Sequence, residues 1–194
     1  MSDEVKIPVE VSARHAHLSQ EDVDILFGKG YKLTNKRELS QKGYYVANET
    51  IEVVGKKGSA TFGILLPERS QSQIELAITD AIKLGIDPVL TNSGELANTS
   101  GCVVRGPEGE IVLEEGVMVA ARHLHINDEV AEKLNVVDKD VIDVEVDGSR
   151  PVIFKDVLVR VDPSFGISMH IDTDEANAAG VNNKDLTYGR KVEL

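Results

Sequence analysis

Tryptophan is absent from this chain of 194 residues, tyrosine and phenylalanine number four each, and there is a single cysteine, Cys102. One thiol excludes an intramolecular disulfide and fits a reducing compartment. Its neighbours in Cys102-Val103-Val104 read as a buried strand rather than the setting of a nucleophile. Basic charge is also scarce, with 21 Lys and Arg against 33 Asp and Glu and a net charge of −12. With no basic stretch and few rings for stacking, general nucleic-acid binding is excluded, because it depends on neutralising phosphates. An anionic small substrate would need local positive charge from Arg14, Arg69, Arg122 or a bound metal. No apolar run approaches membrane-spanning length, so no membrane partner is expected. Met1 to Lys6 shows neither a signal-peptide hydrophobic region nor an amphipathic targeting helix, which points to the cytoplasm.

What is present is an ordinary globular balance, 41% hydrophobic and 28% charged. The length suffices for one core or two small ones. Within it the five histidines are unevenly spent. Val5, Ile7, Val9 and Val11 alternate with polar residues as a strand does, and Arg14-His15-Ala16-His17 follows. If the strand continues, His15 and His17 share a face, because residues two apart in a strand point to the same side. Taken alone, the pair reads equally as a polar strand end or as half of a zinc site. The second half of the chain tips that balance. Val119-Ala120-Ala121-Arg122-His123-Leu124-His125-Ile126-Asn127 echoes Val11-Ser12-Ala13-Arg14-His15-Ala16-His17-Leu18-Ser19. A duplicated structural element would keep its apolar spacing and let its polar residues drift; here the polar residues match. A duplicated metal or anion site is expected.

Along the chain, Ser19 reads as the N-cap of a helix through Phe27, ended by Gly28 and Gly30. Residues 31–45 are polar and irregular. Runs over 50–54 and 59–66, joined by Gly55-Lys56-Lys57-Gly58, make a hairpin. Pro67 opens a loop that passes into a strand or turn near Gln73 to Ile78. Asp80 is expected to cap a helix over Ala81 to Leu84, closed by Gly85. Glu75 lies between Ile74 and Leu76, so alternation turns it away from their face, usually toward solvent. Thr91-Asn92-Ser93-Gly94 is turn chemistry whose hydroxyls and amides could meet an anion. A second hairpin is expected over 101–113, and Asn127 should cap a helix reaching Leu134. Strands follow over 141–146, 151–154 and 157–161, then Met169-His170-Ile171-Asp172, with Thr173 capping a short helix through Ala179.

Many short strands, Gly turns and few brief helices imply a mainly β fold; the long βαβ alternation of a parallel sheet is missing. The expected architecture is two similar small β-barrel or sandwich lobes with short capping α-helices, one per Arg-His-x-His. The lobes are placed at 1–90 and 91–194, with strand exchange between them left open.

"ARHAHLS", "PERSQSQIE", "TNSGELANTSG", "ARHLHIN" and "SMHIDTDEANAAG" occur in that order. In this the chain resembles the phosphate propanoyltransferases, the PduL-type phosphotransacylases, from about Ile7 to Tyr188. The resemblance implies two β-barrels around a site with two zinc ions per chain, and reversible acyl transfer between coenzyme A and inorganic phosphate. It implies that His15, His17 and Glu75 bind one zinc and that His123, His125 and His170 bind the other. Arg69 matches an arginine that contacts phosphate, and Ser93 a serine near the site. The implied partners are acyl-CoA or CoA and phosphate or acyl phosphate, with acetyl and propanoyl both open; a homodimer is a reasonable expectation. Family members are packaged in bacterial microcompartments through an amphipathic N-terminal extension. About six residues precede the first strand here, too few for such a helix, which favours free cytoplasmic enzyme. Two rival readings stay open, a zinc-dependent thioester or amide hydrolase and a non-catalytic metal-binding duplicated barrel.

Overall fold

A computed structural model describes residues 5–192. Residues 1–4 of the Met1 to Lys6 segment, expected to carry no signal peptide or targeting helix, lie outside the described residues. In chain order the elements are β1 (Ile7–Ser12), β2 (His15–His17), α1 (Gln20–Phe27), β3 (Asn35–Glu38), β4 (Tyr45–Val54), β5 (Ser59–Leu66), β6 (Gln73–Glu75), α2 (Ile78–Leu84) and β7 (Leu90–Thr91). There follow β8 (Ser100–Arg105), β9 (Glu110–Ala120), β10 (His123–Ile126), α3 (Asp128–Leu134), β11 (Val141–Val146), β12 (Val152–Val161), β13 (Ser168–Asp172), α4 (Thr173–Ala179) and β14 (Thr187–Lys191). Among the described residues the fold is mainly β, with two closed six-strand barrels and four short helices.

Barrel I runs β4-β5-β2-β6-β9-β8 and closes where β8 pairs with β4; β3 and β7 extend it at β4 and β9. Barrel II runs β1-β13-β10-β12-β11-β14 and closes where β14 pairs with β1. The two repeat one another strand for strand. Each histidine strand pairs in parallel with the second strand of a long hairpin, β2 with β5 and β10 with β12. On its other side it pairs antiparallel with a short strand, β2 with β6 and β10 with β13.

The division of the chain differs from a cut at residue 90. One compact unit is residues 13–120, and the other joins the N-terminal segment up to Ser12 with Ala121 onward. Consequently β1 and β2 are separate strands in different barrels, and the N-terminal strand does not continue into His15. β1 precedes the first Arg-His-x-His yet belongs to barrel II, and β9 precedes the second yet belongs to barrel I. Alternation along β1 was read correctly, since Ile7 and Val9 are buried. Strand pairing across more than a hundred residues leaves no local trace from which the exchange could be read.

Each barrel has its own apolar core. Phe62, Ile64, Ile74, Val104 and Leu26 are fully buried in barrel I, and Ile7, Leu124, Ile126, Val144 and Met169 in barrel II. Each such aliphatic or aromatic side chain contributes about 1.5–3 kcal/mol relative to exposure. Cys102 sits in the first core, as its neighbours suggested.

The helices cap the barrels where the sequence offers caps. Ser19 accepts from Asp22 N at the start of α1, and Asn127 accepts from Val130 N at the start of α3. At α4 the cap is Asp172 rather than Thr173, in a capping box with Glu175; the carboxylate one residue earlier reaches the N3 amide, and Thr173 takes the first helical position. At α2 the helix begins at Ile78 with no side-chain cap, and Asp80 instead lies in its first turn. The hairpin turns dock on helix ends, which explains two glycines. A Cβ on Gly55 would lie 2.2 Å from Leu84 O at the end of α2, and one on Gly148 would lie 2.1 Å from Ala179 O at the end of α4. Only glycine permits that approach. Residues 35–38, read as irregular, form β3 at the open side of β4, fully exposed and therefore without apolar alternation. Val152–Val161 is one strand, β12, carrying Asp156 at φ 55°. That irregularity is where the sequence suggested two strands.

Candidate active site

β2 and β6 are three residues each, and all six are buried. Their antiparallel register sets His15 opposite Glu75 and His17 opposite Gln73, with Ala16 opposite Ile74. The central pair faces the barrel I core, so the four polar side chains share the other face. Glu75 is therefore not a solvated carboxylate: it is 8% exposed. Alternation correctly turned it away from Ile74, but alternation says nothing about what covers the opposite face.

On that face the Glu75 carboxylate lies 3.5 Å from His15 Nε2 and 3.9 Å from His17 Nε2. One ligand atom each from His15, His17 and Glu75 lie within 4.8 Å of one another, the one such group of three among the described residues. His15 Nδ1 lies 2.9 Å from Ala13 O, so a proton there leaves Nε2 with its lone pair toward Glu75. Burial alone would raise the Glu75 carboxyl, but the His15 imidazole beside it and its hydrogen bonds hold it well below the usual carboxylate range. Burial opposes protonation of His15, and the Glu75 carboxylate overcomes this and raises it. His17 is driven down to about 3 by burial, with His15 and Arg69 adding repulsion.

Barrel II repeats the arrangement with a different third residue. β10 and β13 set His123 opposite His170 and His125 opposite Ser168. His123 Nδ1 again lies 2.9 Å from the carbonyl two residues earlier, Ala121 O. By register, then, His170 occupies the place of Glu75, and Ser168 that of Gln73. The three rings are neighbours, with centroids 4.7 Å apart for His123 and His125, 5.2 Å for His123 and His170, and 5.0 Å for His125 and His170. His123 and His170 stack at an interplanar angle of 4°, so faces rather than nitrogens meet, and this cluster is looser than the first. His170 Nε2 is 2.9 Å from Ser168 Oγ. Burial, with His123, His170 and Arg160 nearby, lowers His125 to about 2. His17 Nδ1 and His125 Nδ1 are sealed from solvent with no hydrogen-bond partner among the described residues.

Arg69 and Ser93 both reach the barrel I face. Arg69 follows β5, anchored by its backbone N–H on Leu18 O. Its Nη1 lies 3.3 Å from both Gln73 Oε1 and Ser93 Oγ. Ser93 Oγ donates to Glu75 Oε1 at 2.8 Å. The turn amides expected to meet an anion are engaged at Gly94, whose N–H donates to Gln73 Oε1 at 3.0 Å. Gln73, 1% exposed, is the residue that sequence reasoning missed. An amide beside an isoleucine matches no ligand or catalytic pattern, and its position two before Glu75 was the one available signal.

Arg14 and Arg122 prove to be twin anchors. Arg14 Nε donates to Thr61 O on β5 and Nη1 to Asp80 on α2, with the guanidinium 5.7 Å from the Phe62 ring centroid. Arg122 Nε donates to Lys155 O on β12 and Nη1 to Glu175 on α4, 5.5 Å from the Phe154 ring. Each arginine precedes a histidine strand and pins it to its parallel neighbour and to a capping helix.

Fold and site together define a duplicated β-barrel protein with one imidazole-rich strand pair in each barrel, buried throughout in barrel I and half-buried at His123 and His170 in barrel II. A sequence profile of the phosphate propanoyltransferase family matches residues 8–182. The chain is 48% identical over 184 residues to a phosphate propanoyltransferase of Thermotoga maritima, covering 94% of this chain and 88% of that protein. It is 46% identical over 178 residues to one from Clostridioides difficile, covering 91% and 85%. With one from Lachnoclostridium phytofermentans it shares 48% identity over 177 residues, 90% of this chain and 83% of that protein. The chain belongs to the phosphate propanoyltransferase family.

Proposed function

We propose that this chain moves a short acyl group, acetyl or propanoyl, reversibly between coenzyme A and inorganic phosphate, using two zinc ions. As a member of its family it is a phosphotransacylase; the metal, its stoichiometry and the residue roles are the present reading. The observation that carries it is the buried polar face of β2 and β6, where His15, His17 and Glu75 converge beside Arg69.

The donor sets suit zinc, which takes imidazole and carboxylate ligands in small numbers. His15 and His123 each have Nδ1 against a backbone carbonyl, the outer contact that fixes a ligating imidazole's tautomer and direction. His17 and His125 stay neutral across the physiological range, and neutral imidazole is the ligand form. His15, His17 and Glu75 would hold one zinc, and His123, His125 and His170 the other. Bound there, zinc supplies Lewis acidity toward a thioester carbonyl and favours the thiolate form of coenzyme A.

The chain's own contribution is to bind and orient. Arg69 holds phosphate through a bidentate, charge-assisted contact, for which a guanidinium fork is shaped. A phosphate oxygen attacks the acyl carbonyl carbon, the carbon–sulfur bond breaks, and coenzyme A departs as the thiolate. Attack is direct. The Cys102 thiol lies in the core, pushed up to about 12 by burial, and Ser93 has its proton directed at Glu75 while its oxygen faces Gln73 and Arg69. Neither is presented as an acyl acceptor.

The test is release of coenzyme A from acetyl-CoA and propanoyl-CoA, with and without phosphate, on protein of measured zinc content. Release that requires phosphate and produces acyl phosphate is expected. Release at the same rate without phosphate would make the chain a thioester hydrolase instead.

A further inference from the structure

The Gln73 side chain is engaged at both ends on the polar face of β2 and β6. Oε1 accepts from Arg69 Nη1 at 3.3 Å and from Gly94 N at 3.0 Å. Nε2 donates to Ser93 Oγ at 2.9 Å and to Glu75 Oε1. Two donors and two acceptor sites are all that a carboxamide offers, and all four are used. The backbone amide of Gly94 fixes which way the group points, because turning it over would set NH2 against that N–H and against the guanidinium. The orientation then propagates. Ser93 Oγ receives from Gln73 and from Arg69, so its one proton goes to Glu75. Three chain segments meet on this single amide: the loop after β5, the turn at 92–94, and β6. In barrel II the matching register position is Ser168, which has no second donor for such a web.

We propose that Gln73 is a positioning residue for phosphate: it sets the Arg69 guanidinium and the Ser93 hydroxyl in one arrangement through a neutral amide that adds no charge of its own beside Arg69. The inference rests on the assignment of Arg69 to phosphate made above. Its neutrality is the point. A carboxylate of the same size would still accept from Arg69 and Gly94, but it would pair with the guanidinium in competition with phosphate and set acceptor against acceptor at Glu75.

Two variants test this, Gln73→Glu and Gln73→Met, both close to glutamine in size. Each is compared with the unsubstituted protein in zinc content, thermal midpoint, KM for phosphate, KM for acyl-CoA, and calorimetric binding of inorganic phosphate to the zinc-loaded protein. For Gln73→Met, phosphate binding and KM should weaken about tenfold or more, the effect of losing one hydrogen bond to a charged group. Gln73→Glu should weaken them further despite keeping two of the four contacts. Zinc content and KM for acyl-CoA should hold in both. Unchanged phosphate binding in Gln73→Glu would overturn the proposal. So would equal losses toward phosphate and acyl-CoA with lowered zinc, since that pattern marks a merely structural amide. Calorimetry separates this failure from failure of the functional reading: if the unsubstituted protein releases coenzyme A without phosphate, the binding comparison still decides the role of Gln73.

Discussion

Glu75→Gln asks whether the buried carboxylate is a ligand or only a partner for two imidazoles. The substitution keeps volume, so the amide carbonyl can stay where Oε1 now receives Ser93 Oγ and Gln73 Nε2. The new NH2 then replaces Oε2, which faces His15 Nε2 at 3.5 Å. With Nδ1 protonated toward Ala13 O, His15 Nε2 accepts from that NH2, so His15, Ser93 and Gln73 each keep a partner at position 75. The exchange converts the two charge-assisted hydrogen bonds from Ser93 and Gln73 into neutral ones, a difference of about 1 kcal/mol each and about 2 kcal/mol together. For a chain of this size that is a fall of about 4–8 °C in thermal midpoint. Metal affinity should respond far more. Removing an outer-shell partner costs a zinc site about 10–100-fold, so exchanging a ligand for a neutral amide should cost at least about 100-fold. Zinc should fall from two equivalents per chain to one, retained by His123, His125 and His170, and phosphate-dependent release of coenzyme A should largely disappear. Elemental analysis after dialysis against a weak chelator, with turnover measured on the same sample, checks this. A folded Glu75→Gln protein with full zinc and normal turnover would refute the assignment of Glu75 as a ligand.

Arg69→Lys should keep both metals and raise the KM for phosphate with little change for acyl-CoA, because an ammonium cannot reproduce the fork; steady-state kinetics varying each substrate in turn decides it. Arg122→Met should lower stability by about 1–3 kcal/mol in urea unfolding, through loss of its bonds to Lys155 O and Glu175, and leave the KM for phosphate unchanged. A raised KM there would return Arg122 to substrate binding. Cys102, core-packed and with its thiol raised to about 12, should resist alkylation by iodoacetamide at pH 8 until the chain is unfolded. Mass spectrometry before and after adding denaturant reads this directly.

The legibility of this protein in its sequence follows the range of the interactions involved. The caps at Ser19 and Asn127 and the hairpin of β4 and β5 are set by neighbours in sequence, and they were readable. The paired histidines were readable because chemistry repeated where a structural repeat would have drifted. Glu75 was legible only through family motifs. Its burial comes from β2, which is brought alongside by barrel closure, and no local pattern encodes that contact. Gln73 was missed for the same reason: its four partners come from three separate segments of the chain. In the sequence Arg14 and Arg122 read equally as charge for phosphate or as strand anchors, because the carboxylates and rings that engage them lie on other elements.

The exchange of β1 and β9 has a consequence for how the chain can be divided. Two half-length chains, each lending the strand ahead of its Arg-His-x-His to close the other's barrel, would form a domain-swapped dimer. The present topology is that dimer with its subunits fused end to end. A cut at residue 90 would leave each fragment with a barrel missing strands and with the unpaired edges that invite aggregation. The segment 13–120, by contrast, contains every strand of barrel I and is the one stretch that could be expressed as a self-closed barrel.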